Sequence, residues 1–258
     1  TGKPYIKWTA VAGASKYEVY RSGTKNGTYT LLGTTANLNY TDNKANAGYI
    51  YYYKVKAVSK VRSTANSYYS TVVAATCHCA KPVVKIATTS AGNPRLTWNA
   101  VTGASQYEIY RATSQSGTYT KMFTTTKTSY TNTSAKAGTT YYYKVKAISK
   151  VRSTANSAFS TVVAATCHCA KPVVKIATTS AGNPRLTWNA VTGASQYEIY
   201  RATSQSGTYT KMFTTTKTSY TNTSAKAGTT YYYKVKAISK VKSVANSAFS
   251  TVVSIKAR

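Results

Sequence analysis

Hydrophobic and polar positions along this chain alternate with a period of two, in short runs. No window of about 11 residues or more shows the apolar spacing of a helix. From Thr140 to Ser149, an extended strand puts Tyr141, Tyr143, Val145 and Ala147 on one face and Tyr142, Lys144, Lys146 and Ile148 on the other. The first set is expected to face a core. The same pattern predicts strands near residues 82–88, 94–99, 106–112, 118–123, 128–131, 140–149 and 157–165. Gly, Asn and Ser punctuate them, and Asn26-Gly27, Ser116-Gly117 and Ser206-Gly207 are hairpin signals.

The pattern repeats. Residues 81–163 match residues 171–253 except that Arg152 becomes Lys242 and Thr154 becomes Val244. A diverged copy comes first, with Trp8 aligned to Trp98 and Trp188, and it has no counterpart of Lys81–Ser90. Three modules follow, at residues 1–76, 77–166 and 167–258. Seven short strands in about 90 residues is the size of a β-sandwich. The first module lacks the opening strand, which leaves the edge at Pro4–Thr9 open. The missing strand either lies upstream or is supplied by another chain.

Trp98, Tyr107-Glu108-Ile109-Tyr110-Arg111 and the run Ala135 to Ala147 together resemble a fibronectin type III domain. The likeness covers essentially the whole chain, three times over, and is nearest in kind to the tandem modules of Gram-positive bacterial surface proteins. It implies an all-β fold of three immunoglobulin-like sandwiches in an extended array. It also implies that Trp98 is the core Trp of the second strand and that Tyr141, after Gly138-Thr139-Thr140, is the tyrosine of the corner. The family usually has Leu and Pro ahead of that Gly, where this chain has Ala135 and Ala137. No Arg-Gly-Asp integrin signature occurs. Such a fold carries many functions and specifies none.

Alternation also exposes candidate surfaces. Tyr107 and Ile109 are expected inward, with Glu108 and Tyr110 outward, Glu108 lying across from Lys144 or Lys146. Glu18 with Lys54 or Lys56, and Glu198 with Lys234 or Lys236, repeat the pairing. The ordinary reading is a weak surface ion pair. The functional one is a Tyr–Lys face that binds a partner: Tyr110, Tyr142, Lys144 and Lys146, with Tyr200, Tyr232, Lys234 and Lys236 in the next copy. Lys150 and Arg152 sit in the loop that often contacts partners in the resembled family.

Composition narrows the function. The chain has 34 Lys plus Arg against 4 Asp plus Glu, a net charge of +30, or about ten positive charges per module. That exceeds what solubility asks of a small domain, roughly 2–8, and favours an extended array and anionic partners. Cell-wall teichoic acid, acidic polysaccharide and nucleic acid all fit a diffuse charge. Nucleic acid is the weaker candidate, since no recognition helix, finger or RNA-binding sheet motif organises the cations. Other copies of the chain are a further candidate partner. Glu18, Glu108 and Glu198 lie 90 residues apart, so the paired carboxylates of glycoside hydrolysis are not available, and no catalytic residues are expected.

Cysteine occurs only as Cys77-His78-Cys79 and Cys167-His168-Cys169, at the two module junctions. Three readings stand: oxidation within or between chains, as suits an extracellular protein; a metal site needing ligands from elsewhere; and free thiols carried along by the repeat. No cofactor is implied. No apolar run approaches the roughly 18 residues of a membrane span. The opening Thr1-Gly2-Lys3-Pro4 is not a secretory signal, so the chain reads as a segment of something longer. The expected role is a non-catalytic extracellular stalk, filament or adhesin segment. The alternatives are an anionic-polymer binder and an accessory region of a large secreted carbohydrate-active enzyme.

Overall fold

The computed structural model describes residues 2–258. The first copy contains β1 (Tyr5–Lys7), β2 (Ala14–Ser22), β3 (Thr30–Thr35), β4 (Asn39–Thr41), β5 (Ile50–Ser59) and β6 (Val73–Thr76). The second contains β7 (Val84–Thr88), β8 (Pro94–Trp98), β9 (Ala104–Ala112), β10 (Thr120–Thr125), β11 (Ser129–Thr131), β12 (Thr140–Ser149) and β13 (Val163–Thr166). The third repeats it as β14 (Val174–Thr178), β15 (Pro184–Trp188), β16 (Ala194–Ala202), β17 (Thr210–Thr215), β18 (Ser219–Thr221), β19 (Thr230–Ser239) and β20 (Val253–Lys256).

In the second copy a three-stranded sheet, β11-β8-β7, packs on a four-stranded sheet, β10-β9-β12-β13, all antiparallel. The third copy has the same two sheets, and in the first β1 pairs with β4 alone. The second and third copies are thus seven-stranded antiparallel β-sandwiches of immunoglobulin-like size, and the first has the same sheets with one strand fewer. β12 and β9 align Val145 with Ile109 and Ala147 with Tyr107. Both pairs enter the core with Leu96, Trp98, Tyr141 and Tyr143. Burying each large side chain contributes about 1.5–3 kcal/mol. The Tyr141 hydroxyl accepts the Lys136 amide at 3.1 Å, fixing the corner just after Gly138, whose φ of +87° suits only glycine.

One strand is shorter than alternation predicts. The reading over 157–165 becomes regular only at Val163–Thr166. Upstream, Ser157 and Ser160 each pair with β12 through backbone and side chain together. Ser157 N–H donates to the Ala147 carbonyl at 2.9 Å, while its Oγ accepts the Ala147 amide at 2.8 Å. Ser160 does the same with Val145, at 2.8 and 3.0 Å. Three residues thus match two, the backbone ladder is replaced by hydroxyls, and the pleat is lost.

Each sandwich has its own core. A compact monomer of this mass exposes about 11,000 Å². This chain exposes 14489 Å², as an elongated array does.

Candidate functional site

The outer face of each four-stranded sheet gathers the side chains that alternation assigns to it. In the second copy, Tyr110, Tyr142, Lys144 and Lys146 are half-buried there, and Tyr200, Tyr232, Lys234 and Lys236 repeat them in the third. β9 and β12 bring Lys146 opposite Glu108 and Lys144 opposite Tyr110. The ion pair, however, comes from the other neighbour: Lys121 on β10 lies 3.1 Å from Glu108, and Lys211 the same distance from Glu198. Leu31 holds that position in the first copy, where Glu18 accepts the Tyr20 hydroxyl at 2.8 Å. Burial by itself would push the Glu108 carboxyl up, but the Tyr110 hydroxyl, Lys121 and Lys146 hold it below the usual carboxylate range.

Two aromatic residues outside the predicted set complete this face. Lys144 Nζ sits 4.4 Å from the ring centre of Tyr119 and 4.3 Å from that of Phe159, and Tyr110 meets Phe159 edge-on at 4.9 Å. Lys234 lies between Tyr209 and Phe249, and Lys54 between Tyr29 and Tyr69, in the same way. The best-placed ammonium of each module is therefore already packed between two rings of its own chain. The strands expected over 118–123 and 157–165 take in both residues, but Tyr119 stands in the hairpin ahead of β10 and Phe159 in the irregular serine stretch ahead of β13, so alternation does not assign them to this face.

The loop carrying Lys150 and Arg152 packs, through Val151, against the preceding module of the same chain. A Cβ placed on Gly48 would lie 2.6 Å from the Val151 side chain, and one on Gly103 would lie 2.7 Å from Ala47. A part-exposed valine of one sandwich rests directly against a buried glycine of the other. The second junction repeats this with Gly138 against Val241 and Gly193 against Ala137. Lys150 and Arg152 themselves point to solvent at the seam.

The Cys-His-Cys segments lace these seams. Cys77 exchanges backbone hydrogen bonds with the loop of the first sandwich, and its Sγ donates to the Ala45 carbonyl at 3.5 Å. Cys79 donates its amide to Ala155 of the next sandwich at 2.9 Å and lies in that sandwich's core cluster. Cys169 does likewise with Ala245, at 2.8 Å. His78 is exposed, with Nδ1 at 3.3 Å from the Asn156 carbonyl. The four sulfurs are buried free thiols, and burial pushes the pKa of each one up. Among the described residues, no three His, Cys, Asp or Glu side chains gather into a metal-holding group. The four acids are equally scattered: one Glu on the outer face of each sandwich, and Asp42 buried in the first.

No protein-family model matches the chain. Exoglucanase B of Cellulomonas fimi is 29% identical to it over 280 aligned positions, covering 97% of this chain and 24% of that protein. The chain thus spans about a quarter of the length of the curated relative it matches. Among solved structures, the crystal structure of chicken CNTN1 FN1–FN3 domains superposes with a TM-score of 0.33 and 16% identity, over 98% of this chain and 93% of that one.

Proposed function

We propose that this chain is a non-catalytic spacer: a semi-rigid accessory array of a secreted, carbohydrate-active bacterial protein that sets the distance between the domains it joins. The observation that carries this reading is the repeated seam. Two junctions built from the same valine, glycine and cysteine positions, with the valine-facing glycines and the sulfurs buried and the valines part-exposed, hold successive sandwiches against each other, where an unspecific linker would leave them free. The likeness to exoglucanase B supports the setting, because it takes in nearly all of this chain but a minor part of that enzyme. The scattered acids support the absence of catalysis.

Small-angle scattering at physiological salt tests the reading. Modules about 30 Å long predict a rod with a maximum dimension on the order of 100 Å. The paired variant Val151→Ser with Val241→Ser should broaden the distance distribution without unfolding the sandwiches. A wild-type distribution as broad as the variant's would remove the rigid-spacer reading. Release of reducing sugar from cellulose by the purified chain would remove the non-catalytic one.

A further inference from the structure

The second and third sandwiches each carry an open groove along one flank, between β10 and β11 and between β17 and β18, of about 790 and 780 Å³. Its floor is aromatic. Phe123 stacks on Tyr130 with ring centres 5.3 Å apart and planes 30° apart, and Phe213 stacks on Tyr220 at 5.4 Å and 28°. A register shift between Lys121 and Phe123 sets Phe123 opposite Ile109, on the core-facing side of the sheet. β10 is an edge strand, so the ring overhangs the facing sheet and remains 51% exposed, with Phe213 at 50%.

The fold does not need this ring. The first sandwich has Gly33 at the matching position, where a Cβ would come within 2.5 Å of the Tyr40 hydroxyl, so that tyrosine lies over the strand and fills the space. In the second and third sandwiches a half-exposed phenylalanine stacked on a tyrosine, where the first has glycine, makes an aromatic platform open to solvent. The rest of the groove says what kind of ligand it suits. Around the aromatic floor stand small hydroxyl and amide side chains, among them Gln106, Thr126 and Ser129, with Lys127 the one charged residue and no carboxylate. An apolar ring face bordered by neutral donors and acceptors suits a molecule with one apolar face and a rim of hydroxyls, which describes a pyranose.

We infer that these two grooves bind a neutral polysaccharide, one segment of the polymer in each. The choice of a sugar polymer rests partly on the reading of the chain as part of a carbohydrate-active protein, while the existence of the grooves does not. Two weak sites on one chain acting on one polymer gain by avidity.

The test is retention on microcrystalline cellulose and titration with soluble mixed-linkage β-glucan, both in 0.5 M salt so that the charge of +30 is screened. Wild-type chain should bind. Phe123→Ala or Phe213→Ala alone should weaken binding about tenfold, and the double variant should abolish it. Thermal melts should coincide for all four proteins, because the ring is half in water and its counterpart in the first sandwich is glycine. Three results would overturn the inference: equal binding by the double variant, no binding to either glucan, or binding only to a polyanion such as dextran sulfate that salt removes. Scattering judges the spacer reading independently of any of these.

Discussion

At the scale of single residues, the three sandwiches answer the same problem in two ways. Each buries a tyrosine hydroxyl beneath its fifth or sixth strand and must give it a partner. In the first sandwich Tyr53 donates to Asp42 at 2.8 Å, and Arg21 pairs with the same carboxylate at 3.0 Å. In the others Asn132 and Asn222 donate to Tyr143 and Tyr233 at 2.7 and 2.8 Å. Burial drives the Tyr143 hydroxyl up to about 12, so it stays protonated throughout the working range. In the third sandwich, Arg201 Nη1 is buried with no hydrogen-bond partner. Two copies fold on the amide, so Asp42→Asn should cost about 1 kcal/mol or less. Asp42→Ala strands both the guanidinium and the phenol, and should cost about 3 kcal/mol or more. Urea titration of the full chain separates the two. Equal losses would show that the charge at this position matters more than its shape.

At the scale of elements, the seam loops offer a matched comparison. Gly138 and Gly228 are counterparts with φ of +87° and +81°. A Cβ on Gly138 meets Val241 at 2.6 Å, while one on Gly228 meets nothing. Alanine at either site incurs the left-handed backbone cost of roughly 1–2 kcal/mol. Only Gly138→Ala also forces the seam apart, adding about 1 kcal/mol or more. Equal destabilisation of the two variants in urea would mean that the seam yields without resistance. These loops also mark where reading the chain as a sequence runs out. The face carrying Tyr141, Tyr143, Val145 and Ala147 was visible in the sequence because a strand has a fixed period and the core has one side. Val151 and Gly48 lie about a hundred positions apart in segments with no period, and nothing local couples them. Phe123 was hidden for a related reason: the register shift beside it breaks the alternation that would have assigned it a face. Phe159 was hidden by serines that imitate a strand's hydrogen bonds without its pleat.

At the scale of the whole molecule, three separate cores carry a net charge of +30, with two of the four acids bound to cations on their own sandwich's neighbouring strands by Lys121 and Lys211 and a third by Arg21. Mutual repulsion of this size favours separation of the modules along the rod over collapse. The contacts that resist bending are therefore few and local, concentrated at the two seams, and each seam holds its two sulfurs at no more than 2% exposure. Any stretch or flexure of the rod must first part those contacts. Parting a seam lifts Ala47 off the cluster that holds Cys79, or Ala137 off the one that holds Cys169, so these thiols should meet water before the sandwiches unfold. Burial keeps the sulfurs protonated as well as covered, so at pH 8 iodoacetamide should label them slowly in the resting chain. Gly138→Ala should speed labelling at Cys167 and Cys169 while leaving Cys77 and Cys79 slow, as followed by peptide mass. Uniformly fast labelling would mean that the seams breathe freely. In mechanical terms, each junction is a strain gauge: a tug between the domains at either end would be recorded as a chemical mark at the joint that gave way.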